Sequence, residues 1–320
     1  MSQANAFGTG SPGVHVTCPL CGADDAAVRW VTNLDASEVK DLYEAFRCTN
    51  NHYRCFGRIV RCRRCGMMYR DPQEEDLLAA YAAAVDEDYL MAWPARQATF
   101  ERSLAQLQRF TRPPGKLLDV GCSTGFFLRV AQRAGWNAIG LEPSRWAAGL
   151  ARAEGLDVVE GTLESHPFEK GQFDVVTLWD VIEHVQDPRG MLGAAFRLLR
   201  PGGIIALTTM DTGSAIARLL GVRWPHLMRM HLCYFARRHI VELVTSVGFE
   251  LLRVHPHVRV LDAEYLASRL GFISDRTARV AGRLVRALRC GDWRVPICLG
   301  DLMALYARRP AVGGGGPDAG

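Results

Sequence analysis

A glycine-rich turn followed by a distant acid gives the first chemical signal in the sequence. Asp119-Val-Gly121-Cys-Ser-Thr-Gly125 stands where a short apolar segment, LLDV, gives way to a helical segment, FFLRVAQRA. Glycine lets the backbone approach a ligand without a Cβ in the way, and the first turn of a helix offers unpaired N–H groups. Glu142 follows about 20 positions later at the end of the next apolar segment, where a carboxylate can accept hydrogen bonds from both ribose hydroxyls. These residues predict a site for a nucleotide-like ligand.

Two pairs of cysteines near the start of the chain have the spacing of metal ligands. Each pair has the form C-x-x-C-G, as CPLCG and CRRCG, and the glycine lets the following turn point backbone N–H groups at the sulfur atoms. Four thiolates complete a closed tetrahedral zinc site, which is structural rather than catalytic. Cys48 and Cys55, between the pairs, are alternates or a partial second site. The ligands that we predict are Cys18, Cys21, Cys62 and Cys65.

The composition limits the class of protein. Of the 320 residues, 48% are apolar and 22% are charged, and the net charge is +4. These proportions exclude a mostly disordered chain, and the charge is too small to indicate nucleic acid by itself. No apolar run approaches the roughly 18 residues of a membrane span, and the N-terminal residues lack the pattern of a signal peptide. We therefore expect a cytoplasmic protein, where cysteine pairs of this spacing bind metal more often than they form disulfides.

Alternating strands and helices must position the glycine-rich turn. From residue 116, the segments KLLDV, AIGLEP, DVVEG, FDVVTLWD and GIIALTT have the pattern of short buried strands, and helical segments separate them. This alternation predicts an α/β fold with a doubly wound, mostly parallel sheet that is covered on both faces. A closing strand, DLMALYARR, follows a long insertion over about 255–300.

Shifts in composition divide the chain into units. The cysteine-containing unit is too short to bury much core, so it needs the zinc ion as a staple. Residues rich in alanine and leucine follow it with helical spacing. The predicted units are a disordered N-terminus (1–16), a small zinc ribbon (17–72), a helical connector (73–112), the α/β domain (113–310) and a disordered tail (311–320).

Three enzyme classes share a glycine-rich turn of this kind. Dinucleotide oxidoreductases have GxGxxG, whereas this turn has the form GxxxG. The string Gly121-Cys-Ser123-Thr-Gly125 fits the GxSxG of α/β-hydrolases. That fold also predicts upstream strands and an HGGG-like loop, but the upstream region is cysteine-rich and helical, HGGG is absent, and Asp119 and Glu142 have no role. Both of these interpretations are weak.

The third class accounts for four segments in order and at the right spacing. LLDVGCSTGFFL, Glu142, FDVVTLWDVIEHV and LLRPGG resemble the motifs of class I S-adenosylmethionine-dependent methyltransferases over about 116–254. HIVELVTSVGFELLRV, the closing strand and His231-Leu-Cys-Tyr-Phe235 resemble the C-terminal half of that family. The resemblance implies a Rossmann-like, seven-stranded sheet, S-adenosylmethionine as cofactor, and methyl transfer as the reaction.

The resemblance also implies roles for individual residues. The turn faces the methionine part of the cofactor, Asp119 orients its amino group, and Glu142 holds its ribose. Thr162 and Leu163 take the adenine-flanking position, where the family usually has Asp before an apolar residue. We interpret Cys122 as a small buried spacer. The residues assigned to the cofactor are Asp119, Gly121, Cys122, Ser123, Thr124, Gly125, Glu142, Pro143, Thr162, Leu163, Trp179 and Asp180.

Methyl transfer sets requirements of its own. The acceptor lone pair must align with the methyl carbon, water must be excluded, and some acceptors need a general base. Trp179 and Asp180 end the fourth strand where the cofactor meets the acceptor, although Trp179 is equally compatible with a core aromatic. A preformed carbanion, phenolate or free amine needs no base. The candidate bases are Asp180, Glu183, His184, His226 and His231, and we assign catalytic roles to Asp180, His184 and His231.

The cysteine-rich unit indicates the chemical class of the acceptor. It resembles the N-terminal zinc module of some bacterial methyltransferases, including sugar and natural-product enzymes. We therefore expect a small-molecule acceptor, either a sugar, a glycan precursor or a secondary metabolite, with O-, C- or N-methylation left open. One alternative is an RNA methyltransferase that grips RNA with the ribbon and with the arginines over 58–64. A second is a partner subunit that binds the cofactor but has lost transfer.

Five arginines recur every three or four residues over 276–289. This spacing predicts a helix with one basic face, and no acid lies between 276 and 291. The face is either solvated, a site for an anionic acceptor such as a nucleotide-linked sugar, or a contact with a membrane surface. The sequence does not decide among these three.

Overall fold

The computed structural model describes residues 14–32, 56–73, 77–83, 85–87, 90, 93–272 and 274–311. Cys48, Cys55 and nearly all of the residues for which the sequence predicts disorder lie outside these ranges. The strands of the described residues are β1 (Ala26–Val31), β2 (Arg58–Cys62), β3 (Met68–Arg70), β4 (Lys116–Val120), β5 (Asn137–Glu142), β6 (Val158–Glu160), β7 (Phe173–Trp179), β8 (Leu199–Met210), β9 (Cys233–Tyr234), β10 (Glu250–Pro256), β11 (Arg259–Asp262), β12 (Arg294–Ile297) and β13 (Leu302–Arg308). The α-helices are α1 (Leu77–Ala83), α2 (Trp93–Leu107), α3 (Phe126–Arg133), α4 (Arg145–Ala153), α5 (Pro188–Leu198), α6 (Ala215–Leu220), α7 (Arg237–Ser246), α8 (Ala263–Arg269) and α9 (Asp275–Ala287).

Seven strands form the central sheet in the order β10-β13-β8-β7-β4-β5-β6. The pairs from β8 to β6 are parallel, and β13 runs antiparallel to both of its neighbours. Leu117, Leu118, Val175 and Val176 are fully buried, because helices cover both faces of the sheet. The predicted Rossmann-like, doubly wound, mostly parallel sheet is therefore confirmed.

Local signals fix the helices that flank the site. Ser144 begins α4 by accepting a hydrogen bond from the N–H of Ala147 at 3.3 Å, and Asp187 caps α5 through the N–H of Gly190 at 2.9 Å. Pro188, the first residue of α5, already has the φ angle of a helix. The strands and helices therefore meet at the turns that the sequence indicates.

The N-terminal strands belong to a second sheet, in the order β1-β2-β3-β9, and all of its pairs are antiparallel. Its fourth strand comes from the α/β half of the chain, with Met68 opposite Tyr234 and Tyr69 opposite Cys233. Both tyrosines are fully buried. The ribbon predicted as a separate unit thus shares a sheet with the segment that carries His231.

The connector and the insertion meet beside the central sheet. Helix α2 packs on α3 through Phe100 and Phe127, whose ring centroids lie 5.6 Å apart, and its Leu104 and Leu107 are buried. The insertion contains the antiparallel pair β11-β12 and the helices α8 and α9. Thr99 of α2 accepts a hydrogen bond from the N–H of Val260 at 2.8 Å, so the insertion is joined to the connector.

Candidate active site and metal centre

The turn after β4 is built from left-handed backbone. Gly121 and Gly125 have φ of +70° and +79°, and a Cβ on them would lie 2.8 Å from Val181 and 2.2 Å from Leu156. Ser123 adopts φ of +49° between them. Other residues would strain the backbone and clash, so the two glycines are required by the shape of the turn.

Glu142 ties this turn to the end of β5. Its Oε2 accepts a hydrogen bond from the N–H of Ser123 at 2.8 Å, and its Oε1 accepts one from the N–H of Ser144 at 2.8 Å. Burial raises the pKa of the carboxyl to about 7, although these two bonds and one from Tyr81 oppose the rise. The carboxylate therefore stands at the junction of β4 and β5, oriented by backbone groups on both sides.

Asp119 lies beneath the same turn and is buried. Its Oδ1 accepts a hydrogen bond from the hydroxyl of Thr177 at 2.6 Å. Burial and the nearby charge of Glu142 raise the pKa of Asp119 to about 7, against the effect of Thr177. Two acids with raised pKa values thus flank the turn, and a cationic ligand would favour their charged forms.

Unpaired polar atoms test whether this crevice suits the cofactor. The Thr124 hydroxyl and the Trp179 indole N–H are buried and have no hydrogen-bond partner among the described residues. Buried polar groups are seldom left unpaired, so these atoms indicate a polar ligand. Two acids for an ammonium group and a ribose, a turn shaped by glycine, and these two atoms fit S-adenosylmethionine.

The remaining residues that the sequence assigns to the cofactor have different surroundings. The Thr162 hydroxyl approaches the Ser165 hydroxyl at 3.4 Å and accepts a hydrogen bond from the N–H of Glu164 at 3.3 Å, so it holds its own turn. Leu163 is buried in the core. Pro143 follows β5 directly. The sequence places Thr162 and Leu163 beside the adenine, and this stays a prediction.

Cys122 and Trp179 both have packing roles. Cys122 is buried, and its Sγ would lie 2.4 Å from a Cβ at Gly140, so the thiol fills the space above that glycine. This arrangement agrees with the interpretation of Cys122 as a spacer. The ring of Trp179 packs edge-on against Phe127 at 5.2 Å while its N–H stays unpaired. Trp179 thus combines a core contact with a free donor.

Asp180 follows β7 with a left-handed φ of +55°. Its Oδ1 accepts a hydrogen bond from the Thr208 hydroxyl at 2.8 Å, and its Oδ2 forms an ion pair with the Arg259 guanidinium. Burial alone would raise the pKa of this carboxyl, but Arg259 and then His257 hold it well below the usual range. Asp180 is therefore a fixed carboxylate rather than a group that exchanges protons near pH 7.

Three side chains form an acid-base cluster next to Asp180. The ring centroids of His184 and His231 lie 4.8 Å apart, and an oxygen of Glu183 lies within 4.8 Å of a nitrogen of each ring. A carboxylate and two imidazoles are also a donor set that a divalent cation accepts. Burial, and then the charge of Asp180, raise the pKa of Glu183 to about 8.

Hydrogen bonds fix which nitrogen of each histidine is basic. Nδ1 of His184 lies 3.0 Å from the carbonyl oxygen of Met230, and Nδ1 of His231 lies 2.7 Å from that of His226. A carbonyl only accepts, so both Nδ1 atoms carry the hydrogen and both Nε2 atoms keep a lone pair. Burial lowers the pKa of both rings, which keeps them neutral.

His226 points to a different partner. Its Nε2 lies 3.6 Å from Asp301, which also accepts a hydrogen bond from the Trp224 indole at 2.9 Å. Burial lowers the pKa of His226 to about 4. Unlike Glu183, His184 and His231, this candidate base is directed at Asp301, and its backbone oxygen accepts the hydrogen bond from Nδ1 of His231.

The four predicted metal ligands come together. Sγ of Cys18 lies 3.5 Å from that of Cys65, Sγ of Cys21 lies 3.6 Å from that of Cys62, and all four sulfurs lie within 4.8 Å of one another. Tetrahedral zinc with bonds of about 2.3 Å requires sulfurs about 3.8 Å apart. Gly22 and Gly66 have φ of +70° and +80°, as the turns after the pairs require. The donor set therefore fits structural zinc.

Short contacts join strand β3, beside the four-cysteine cluster, to the acid-base cluster. The N–H of Arg70 donates to Leu232 at 2.9 Å, and the N–H of Leu232 donates to the carbonyl of Glu183 at 2.8 Å. The Arg70 guanidinium also hydrogen-bonds the carbonyl of Arg229. The segment that carries His231 is thus held between the ribbon and the loop after β7.

Sequence patterns did not reveal several of these residues. Arg259, which pairs with Asp180, lies 79 positions away in the insertion, outside every motif. Tyr81, which hydrogen-bonds Glu142, lies in an alanine-rich connector helix. Thr177 has a weak signal, because it is a polar residue inside an apolar strand.

Comparison with known proteins identifies the family of the chain. A family model described as a methyltransferase domain matches residues 93–254, about half of the chain. The chain therefore belongs to the family of methyltransferase domains.

Individual relatives and solved structures are similar over shorter or more distant matches. The ubiquinone biosynthesis O-methyltransferase of Erwinia tasmaniensis is 34% identical over 122 residues, which are 36% of this chain and 50% of that protein. The protein of the same name from Methylococcus capsulatus is 34% identical over 125 residues, 36% of this chain and 52% of the relative. The chain spans about half the length of these relatives. A solved SAM-dependent methyltransferase of Thermotoga maritima, a possible histamine N-methyltransferase, has a TM-score of 0.48 and 20% identity, with 70% of this chain and 93% of that chain covered.

Proposed function

We propose that this protein is an S-adenosylmethionine-dependent methyltransferase that methylates a hydroxyl group of a small-molecule acceptor in the cytoplasm. The observation that carries the proposal is the Glu142 carboxylate, which joins the glycine turn to the end of β5 through two backbone bonds of 2.8 Å. A carboxylate in this position can receive the two hydroxyls of a ribose. The family match supports the same cofactor.

The residues that would hold the cofactor divide by its parts. Glu142 would bind the ribose, and Asp119 would attract the ammonium group of the methionine part. The Thr124 hydroxyl and the Trp179 indole N–H, which have no partner among the described residues, would form hydrogen bonds with the cofactor. Leu163 would border the adenine. When bound, the cofactor supplies an electrophilic methyl group on a sulfonium.

The acid-base cluster supplies the proton acceptor that a hydroxyl acceptor needs. Nε2 of His231 and of His184 each keep a lone pair, because Nδ1 donates to a carbonyl. The fixed charge of Asp180 favours the imidazolium that forms when either ring takes the proton. The relatives are named O-methyltransferases, which agrees with a hydroxyl acceptor.

The four-cysteine site has a structural part in this proposal. Zinc held by Cys18, Cys21, Cys62 and Cys65 would fix the ribbon sheet, whose strand β3 pairs with β9. Strand β9 begins two residues after His231. The zinc site would therefore position the base without contacting the reacting atoms.

The alternative of an RNA methyltransferase receives little support from the ribbon. Two arginines of the basic cluster are already paired with acids: Arg58 lies 3.0 Å from Asp71, and Arg63 lies 2.8 Å from Asp25. Paired arginines are less free to neutralise phosphates. The other alternative, a partner subunit that binds the cofactor without transferring a methyl group, is distinguished by the turnover measurement described next.

His231→Gln, with His226→Gln as the matched control, tests the proposal. Formation of S-adenosylhomocysteine is measured with S-adenosylmethionine and a panel of catechols and nucleotide sugars, and cofactor affinity is measured by calorimetry. Loss of the base should lower kcat by about 10²–10⁴-fold and leave cofactor affinity unchanged. The control removes the side chain that faces Asp301 and keeps the backbone oxygen, so its kcat should stay close to that of the native protein. Tight cofactor binding without turnover on any acceptor would favour the inactive partner.

A further inference from the structure

Helix α9 exposes a row of large apolar side chains. The exposed fractions of Val280, Leu284 and Leu288 are 51%, 58% and 72%. Their spacing of four residues places them along one side of the helix. Trp293, in the turn that follows α9, is 69% exposed. Apolar groups exposed together in this way indicate a surface that contacts something other than water.

Five arginines lie along the same exposed part of the insertion. Arg286 approaches Glu264 at 3.3 Å, an exposed pair that contributes little. All five arginines are exposed, as is the apolar row, and the buried Gly282 lies beside Arg286 on the side of α9 that packs against α8. We call this surface the basic-apolar face; it consists of Arg276, Arg279, Val280, Arg283, Leu284, Arg286, Leu288, Arg289 and Trp293.

The combination of arginines and apolar side chains on this face indicates which kind of partner it binds. A nucleic acid would pair with the arginines but would leave Leu284 and Leu288 in water. A helix with apolar residues beside arginines, and with a tryptophan at its end, has the composition of helices that lie in the plane of a bilayer surface. In such a position the apolar side chains enter the boundary between headgroups and acyl chains, and the arginines meet anionic headgroups.

We propose that the basic-apolar face binds the surface of a bilayer that contains anionic lipids. Helix α9 has 13 residues, a length of about 20 Å, and would lie along the surface. No helix among the described residues is both long and apolar enough to cross a membrane.

The proposal gives the insertion a second task besides its contact with the active site. Arg259 of β11 pairs with Asp180, and the chain continues from β11 into α8 and α9. The surface proposed to bind lipid and the residue that pairs with Asp180 therefore belong to one insertion. Lipid binding itself does not require methyl transfer, so the two proposals can fail independently.

Sedimentation of the full chain with vesicles tests the proposal. Vesicles of phosphatidylcholine alone are compared with vesicles of phosphatidylcholine and phosphatidylglycerol, at low and at physiological salt. The double variant Arg279→Gln, Arg283→Gln removes two charges from the face. Its matched control, Arg109→Gln with Arg133→Gln, removes two exposed arginines near the ends of α2 and α3. Melting curves check that each variant is folded.

The proposal expects binding to the anionic vesicles that weakens with salt. Each arginine near such a surface contributes about 1 kcal/mol, so the face variant should bind about 25-fold more weakly while the control is unchanged. Leu284→Ser with Leu288→Ser should also weaken binding, by at least 10-fold, and phosphatidylglycerol vesicles should shift the fluorescence of Trp293 to the blue relative to Trp293→Phe.

Four results would overturn the proposal. Equal binding by the native protein, the face variant and its control would show that the charge of the face is irrelevant. Absence of binding to anionic vesicles at low salt would show that the basic-apolar face does not bind lipid. Binding of RNA but not of vesicles, or a dimer that forms in solution through Leu284 and Leu288, would assign the face to another occupant.

Discussion

Replacing Glu142 by glutamine tests the cofactor site with the smallest change in shape. The side chain keeps its volume and loses its charge, and one acceptor oxygen becomes an amide donor. In the native protein, both oxygens accept backbone N–H groups at 2.8 Å, from Ser123 and from Ser144. The new amide therefore faces one of these N–H groups as donor against donor.

The size of the effect follows from these contacts. A hydrogen bond to a charged group contributes about 1.5–3 kcal/mol, and one ribose hydroxyl loses such a bond in the variant. The unpaired backbone N–H is present in the variant with and without the cofactor, so it lowers the stability of the protein and not its affinity. Cofactor binding should therefore weaken by about 1.5–3 kcal/mol, or roughly 10- to 150-fold in Kd.

Calorimetric titration with S-adenosylhomocysteine measures this loss. The matched control is Glu160→Gln, at the end of the neighbouring strand β6, where the carboxylate pairs with Arg145 at 3.2 Å on the surface. The control should change Kd by less than about fivefold, because surface pairs contribute up to about 1 kcal/mol. Equal affinities for the native protein and the Glu142 variant would refute the ribose assignment.

The pH dependence of cofactor binding provides an independent check on the same carboxyl. Burial raises the pKa values of Glu142 and Asp119 to about 7, and the cofactor binds to their charged forms. Affinity should therefore rise with pH up to about 7 and then level off. Glutamine at position 142 removes one of the two titrating carboxyl groups. The slope of log Kd against pH should therefore be smaller below pH 7 in this variant.

Two further predictions concern the four-cysteine site and the Arg259–Asp180 pair. Cys18→Ser should release zinc, which elemental analysis measures. It should also lower kcat by about 10²-fold with little change in cofactor Kd, because the ribbon positions His231. An unchanged kcat in the zinc-free variant would show that the ribbon does not position His231. Arg259→Gln takes away the guanidinium that holds the pKa of Asp180 low, so this pKa rises and the acid limb of the pH–kcat profile moves to higher pH. Arg294→Gln on the adjacent strand β12 is the control, and an identical shift in both variants would contradict the role of the Arg259–Asp180 pair.

Local patterns predicted the parts of the site that are close together in the sequence. The turn over 121–125 and the acid at the end of β5 follow from strand, turn and helix signals within a few residues. The two C-x-x-C-G pairs likewise predicted four sulfurs that meet, because each pair forms its own turn. Such features depend on short-range geometry, which the sequence expresses directly.

Contacts between distant segments have no comparable local signal. The pairing of Met68 with Tyr234 joins two strands of two or three residues, too short to be recognised by alternation. Arg259 lies in an insertion without a motif, so its pairing with Asp180 was not predicted. The sequence placed His226 among the candidate bases on residue type alone, whereas Asp301, 75 positions later, accounts for its orientation.

The central claim is that the crevice between β4 and β5 binds the adenosyl cofactor. The most direct test is a crystal of the protein soaked with S-adenosylhomocysteine. We expect density in this crevice, with both ribose hydroxyls at hydrogen-bond distance from the Glu142 carboxylate and the amino group near Asp119. A crevice that stays empty in the soaked crystal, or a ligand bound elsewhere on the chain, would contradict it.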